Sequence, residues 1–292
     1  MRFIALLKDT VTAWQNDKAP RLGAALAFYS VLSLGPLLLL VLAAAGSVFG
    51  DEAARGQIAV QMTGLLGRDG ARAIQDMIAN AGAEKTQGIL ATIFGLGTLL
   101  LGASGVFGEL QDALNTIWNV KPPEHASNWR AVSAFLAQRF LSFSMVMGCL
   151  FLLLVSLAVS AGIAAFNTMA VAHFSGVWGS EFTYILDVTN LVTSFLIVTL
   201  LFALMFKLLP DTRVAWRDVW HGAFLTSALF SIGKGAIGLY LGHSGIASGY
   251  GAAGSIVVLL IWVYYSAQIL FFGAEFTKIY AHRFGSHRQA SA

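Results

Sequence analysis

Six stretches of this chain are too apolar and too long to be covered by water. The first, 22–50, contains no charged residue at all. The others are 88–108, 140–166, 184–209, 219–241 and 252–272. A helix needs about 20 apolar residues to cross the hydrocarbon of a bilayer. Backbone groups in lipid must bond within their own segment or a closed barrel, and the strict alternation of barrel strands is absent. The expectation is an all-α, polytopic membrane bundle of six transmembrane helices in one integral domain. Composition agrees: 57% of residues are hydrophobic and 11% charged, against roughly 25% charged in ordinary globular domains.

Charge placement predicts the orientation. Arg2, Lys8, Lys18 and Arg21 precede or open the first span. Lys121, Arg130 and Arg139 follow the second, Lys207, Arg213 and Arg217 surround the end of the fourth, and Lys278, Arg283 and Arg288 lie beyond the sixth. With six spans these all fall on one side. The other side has Arg55, Arg68, Arg72 and Lys85 in one loop that also holds five acids. The positive-inside rule then puts both termini in the cytoplasm. A second helix within 140–177 would reverse everything downstream, and the charge bias argues for one.

The start is not expected to be a signal peptide, because its apolar run stops at Lys8. Phe3, Leu6, Leu7, Val11 and Trp14 recur at helical spacing, so 1–20 reads as an amphipathic helical arm on the membrane surface. Two short amphipathic helices are expected in the first outer loop, 51–87. The stretch "GELQDALNTIWNV" reads as an extension of the second span, stopped by Pro122-Pro123. Residues 276–292 form a cytoplasmic tail.

Catalytic patterns fail on their context. Gly249-Tyr250-Gly251-Ala252-Ala253-Gly254 spells G-x-G-x-x-G, with Glu275 about where a ribose-binding acid belongs. That fingerprint needs a preceding strand. Here an apolar segment precedes it, and a bilayer-length helix would separate the glycines from the acid. The six histidines form no metal-binding spacing, and Cys149 is a lone apolar-segment cysteine. No G-x-S-x-G elbow occurs. The carboxylates are spread over both sides, which does not suit a metal-dependent nuclease. No enzyme activity, cofactor or metal is expected, and a net charge of +3 does not argue for nucleic acid.

The polar groups inside apolar segments remain as candidates, since charge in lipid is costly. Lys234 lies roughly 22 Å into the fifth span from its inner end. Asp187 and Asn190 lie near the outer start of the fourth, at a compatible depth, so a Lys234–Asp187 pair or a substrate contact is expected there. Snorkelling of Lys234 to the surface is the plainer alternative. At the inner ends, Arg21, Glu109, Arg139, Lys207 and Glu275 are candidates for bundle-holding ion pairs or a cytoplasmic gate. Pro36 is expected to kink the first span. Glycines of the second and fifth segments, Gly238 and Gly242 among them, suit close helix packing.

The stretches "GAALAFYSVLSLGPLLLL", "ELQDALNTIWNV", "LLPDTRVAWRDVWHGA" and "YGAAGSIVVLLIWVYYSAQILFFGAEF" resemble, in this order, the YihY/BrkB family of bacterial inner-membrane proteins. The resemblance covers nearly the whole chain. It implies a six-helix bundle in the cytoplasmic membrane and carries no functional residues over. Family members have borne the label ribonuclease BN, which these residues do not support; another is linked to serum resistance. Transport of amphipathic or lipid-like molecules has been suggested for the family. The expected function is therefore non-enzymatic transport or flipping of anionic amphipathic molecules, with membrane lipids as partners. An envelope-assembly scaffold binding other envelope proteins is the alternative, a tRNA-processing ribonuclease a distant one, and homo-oligomers are compatible with either membrane role.

Overall fold

The structure is a computed structural model describing residues 2–50, 105–120, 188–189, 191–243, 249–250 and 254–287, with isolated positions 52, 56 and 75. Among these residues the main elements are helices and there is no strand. In chain order they are α1 (Arg2–Asn16), α2 (Ala19–Phe49), α3 (105–117), α4 (Leu191–Leu208), α5 (Trp216–His243) and α6 (Gly254–Arg283). Three stretches, Leu191–Leu208, Trp216–Leu241 and Ile256–Arg283, are long and apolar enough to cross a membrane. The predicted first span coincides with α2, which runs unbroken through Pro36. The predicted spans 88–108 (up to residue 104) and 140–166, and nearly all of the loop 51–87, lie outside the described residues.

Helix ends follow local chemistry. Asp17 N–H closes α1 on the Ala13 carbonyl at 2.9 Å. Lys18 then takes a left-handed conformation, φ 53°, and Pro20 stands in the first turn of α2, where its missing N–H costs nothing. At the end of α3, Asn119 is left-handed (φ 54°) and Val120 N–H reaches the Asn115 carbonyl at 2.9 Å, a Schellman closure that asparagine tolerates better than most residues.

The α5–α6 pair is built on two glycines. A Cβ on Gly222 would overlap the Thr277 hydroxyl, and a Cβ on Gly273 would overlap that of Thr226. Both threonines turn back on their own helices: Thr226 Oγ1 donates to the Gly222 carbonyl and Thr277 Oγ1 to the Gly273 carbonyl, each at 2.7 Å. The two G-x-x-x-T units thus face each other antiparallel, with their hydroxyls satisfied and the backbones in close approach. Of the fifth-segment glycines the sequence pattern singles out, Gly233 also packs tightly on α6, where a Cβ would lie 2.7 Å from Ile269 Cδ1, whereas Gly235 and Gly238 have nothing among the described residues within 4 Å of their Cβ positions.

The main core gathers at one end of the bundle. Leu26 of α2, Leu114 and Ile117 of α3, Phe206 of α4, Val219 of α5 and Phe271 and Ala274 of α6 belong to it. A smaller cluster of Ile237, Leu241 and Val258 packs α5 on α6 toward the opposite end. Leu191, Leu196, Phe224, Ile232 and Leu239 are exposed, as befits helices whose outer faces meet lipid rather than water. On α1, Leu6 and the hydroxyl-bearing Thr10 are buried, whereas Phe3, Ile4 and Val11 remain exposed.

Candidate functional site

Four segments far apart in the chain meet at the end that holds the main core. Lys278 Nζ donates to Asp17 Oδ2 at 2.8 Å, tying α6 to the turn between α1 and α2. Arg283 Nη1 meets Asp9 Oδ2 at 2.7 Å. Asp211, just after α4, accepts from Gln111 Nε2 at 3.1 Å and Asn115 Nδ2 at 2.7 Å, while its own N–H donates to Asn115 Oδ1 at 2.8 Å. Two of the stretches that carry the family resemblance, around 109–120 and 208–222, are therefore clasped together by one asparagine and one aspartate. Asp218, in the first turn of α5, accepts from both the N–H and the hydroxyl of Ser286, at 2.8 and 2.7 Å. His287 Nε2 lies 2.9 Å from the Arg213 carbonyl, and its ring packs against Trp118.

Glu275 lies under this network. Its side chain is fully buried, and Lys278 Nζ stands 3.2 Å from Oε2. The Asp17 carboxyl faces it across the same ammonium. Neither oxygen of Glu275 has a hydrogen-bond donor in proper geometry. Buried polar atoms are nearly always partnered, so such an exception needs a cause.

Above the carboxylates, two helical turns along α6, sits Gln268. Its amide nitrogen abuts Gly23 of α2, where a Cβ would overlap it. Both amide atoms are buried without a partner, as is Trp14 Nε1. Gln268 and Trp14 line a groove of about 410 Å³. Its walls are Val11 and Trp14 of α1, Leu229, Ile232 and Gly233 of α5, and Tyr265, Ile269 and Phe272 of α6. It is a mostly apolar trough, a lining that suits an apolar chain, while the unpaired amide and indole atoms lie buried behind its walls.

The candidates from sequence fall in different places. Glu275 is in the buried cluster. Lys234 is exposed, follows the groove residue Gly233, and makes no ion pair among the described residues. Lys207 donates to the Val214 carbonyl and lies 5.8 Å from the Trp216 ring, closing the α4–α5 connection. Arg21 is exposed. Glu109 is half-buried on α3. Asp187, Asn190 and Arg139 lie outside the described residues. Sequence reasoning passed over Gln268, although an amide inside an apolar segment was a signal. It also passed over Asp17 and Lys278, whose pairing spans 261 positions and leaves no local trace.

A patch of acids surrounds the clasp. Partial burial, and then Asp112, push Glu109 above its ordinary 4.5. Partial burial, and then Asp211, push Asp112 above 3.8. A raised folded-state pKa means the folded form holds protons more tightly. The resulting stability is present at low pH and is lost as pH rises through the raised values. Asp112→Asn should therefore stabilise the protein at neutral pH by about 0.5 kcal/mol, the scale of exposed charge pairs, and the gain should vanish in acid. Thermal melting over a pH series measures it.

Among the described residues no group of three or more His, Cys, Asp or Glu side chains is placed to hold a metal ion. The fingerprint glycines also lack their context: a helix, α5, precedes them, and Gly254 and Glu275 belong to one continuous helix, roughly 30 Å apart along its axis.

Long apolar helices with lipid-facing outer surfaces and a polar, aromatic end cap define a helical membrane protein. Residues 10–292 match the family described as Virulence factor BrkB, and the chain belongs to it. A UPF0761 membrane protein of Rhodospirillum centenum is 26% identical over 286 residues, which is 94% of this chain and 57% of that one. Another, of Pseudoalteromonas translucida, is 26% identical over 258 residues, 86% of this chain and 78% of its own. A third, of Tolumonas auensis, is 40% identical over 75 residues, 25% of each. The chain spans less than two thirds of the length of several of the curated relatives it matches. No solved structure matches.

Proposed function

We propose that this protein is a non-enzymatic transporter or flippase of anionic amphipathic molecules in the bacterial cytoplasmic membrane. The observation that carries this reading is the groove between α1, α5 and α6, whose apolar walls suit an acyl or similar chain. Lys234, one residue along from the groove wall, supplies a cation toward which an anionic head group is drawn. The clustering of the N-terminal turn, the α4–α5 connection and the end of α6 at one end of the bundle supports the arrangement in which both termini share the cytoplasmic side.

The test is reconstitution into liposomes carrying fluorescent anionic and zwitterionic lipids, with an impermeant quencher reporting flux. Protein-dependent movement of anionic probes is expected, and Lys234→Met should slow these several-fold while sparing zwitterionic ones. No protein-dependent movement across the panel, together with a stoichiometric envelope partner recovered by crosslinking, would instead favour a scaffold.

A further inference from the structure

The pairing of charges beneath the groove does not balance. Asp17 and Glu275 both face the Lys278 ammonium, at 2.8 and 3.2 Å, and the side chains are only 22%, 0% and 14% exposed in the order Asp17, Glu275, Lys278. Two carboxylates against one ammonium leave an uncompensated negative charge in a place with little water, which is severely costly. Among the described residues, neighbouring elements supply no second cation. On α2, Arg21 is exposed, as is Lys18 just before it. Arg283 is taken by Asp9. On α5, His221 is stacked on Tyr280 and lies 2.7 Å from the Arg217 carbonyl, and Asp218 is held by Ser286. On α3, Asp112 and Glu109 add only acids.

We infer that Asp17 and Glu275 share one bound proton, and that this proton holds the α1–α2 turn closed on α6 beside the groove. A neutral Glu275 carboxyl brings the cluster to zero net charge: one carboxylate, one ammonium, one acid. Its O–H becomes the donor that the site lacks, aimed at the Asp17 carboxylate. Loss of the proton to water turns that hydrogen bond into repulsion between two carboxylates. The turn is then pushed off α6, and α1, which contributes Val11 and Trp14 to the groove, moves with it. Proton binding itself stands independently of transport; its coupling to substrate movement rests on the reading given above.

The direct probe is infrared difference spectroscopy of the full chain in nanodiscs across a pH titration. A protonated-carboxyl C=O band should titrate in the unmodified protein and disappear in Glu275→Gln. It should also be lost in Asp17→Asn at neutral pH, because the remaining acid then pairs one-to-one with Lys278 and ionises. Asp112→Asn and Glu109→Gln should retain it. A band unchanged by Glu275→Gln, or one that survives Asp17→Asn, overturns the shared proton. Hydrogen exchange over residues 2–17, corrected for intrinsic rates, reads the closure. Protection should fall several-fold with rising pH in the unmodified protein and stay flat in Glu275→Gln; equal pH dependence in both overturns the closure. A titrating band with these mutational responses but no amphipath flux leaves the proton site standing and removes the transport reading.

Discussion

Gly273→Leu should abolish recovery of folded protein from membranes, and Gly273→Ala should already lower its stability sharply. The reason is local. Thr226 Cβ would lie 2.9 Å and Cγ2 3.1 Å from a Cβ at position 273, with the hydroxyl closer still. Thr226 is itself fully buried and bonded back to Gly222, so it has no room to turn away. Overpacking a tight core costs about 1–3 kcal/mol and more when backbones must separate. Against it stands a helix-propensity gain of about 1 kcal/mol for Gly→Ala. Sterics outweigh propensity at Gly273; at Gly238, where nothing lies within 4 Å, propensity is unopposed. Gly238→Ala should therefore be neutral or stabilising. A reciprocal exchange, Gly222→Ala with Thr277→Gly, should recover part of the loss caused by Gly222→Ala alone. Detergent-extracted thermal stability, followed by fluorescence-detected size exclusion, distinguishes these variants.

Lys278→Met should be the most damaging single change at the polar end. It leaves the negative charge held between Asp17 and Glu275 buried with no ammonium beside it. Removing one partner from a buried ion pair costs about 3–5 kcal/mol, because the remaining charge keeps its desolvation penalty. Asp17 is the anchor of the α1–α2 turn, so hydrogen exchange over residues 2–17 should rise first. Adding Asp17→Asn and Glu275→Gln to Lys278→Met should recover most of the stability, since neutral amides remove the excess charge. A double-mutant cycle between Lys278 and Asp17 should give a coupling energy of about 1 kcal/mol or more. A purely additive cycle would mean the 2.8 Å contact contributes nothing.

Much of this architecture is visible in the pattern of apolar residues. The predicted segments 22–50 and 219–241 correspond to α2 and α5 within a few residues, and α4 covers 191–208 of the predicted 184–209, whose first residues lie outside the described ones. The sixth is predicted to stop at 272, yet α6 continues to Arg283. Glu275, Thr277 and Lys278 look like a helix leaving the membrane, and hydropathy ends there. The helix persists because Thr277 bonds to its own turn and Lys278 to Asp17. The arm is helical, as its periodicity suggests, but Leu6 and Thr10 bury against the protein, which no local pattern distinguishes from burial in lipid. The groove is equally invisible in sequence. It exists because α1 lies beside α5 and α6, and because Gly23 admits the Gln268 amide. Glycine content foretells the close approach at Gly233 but not at Gly222 and Gly273, each unremarkable alone, whose antiparallel meeting gives them a role.

The central claim, that the groove is the path of an anionic amphipath, is tested most directly at its rim. Ile232 lines the groove but is 74% exposed, so a larger side chain there narrows the trough without disturbing the core. Proteoliposomes containing the unmodified protein or Ile232→Trp should be compared for movement of a head-labelled anionic lipid. The groove reading expects rapid protein-dependent flux in the first and at least a several-fold loss in the second, with equal thermal stability. Flux that is absent in the unmodified protein, or unchanged by Ile232→Trp, would contradict it.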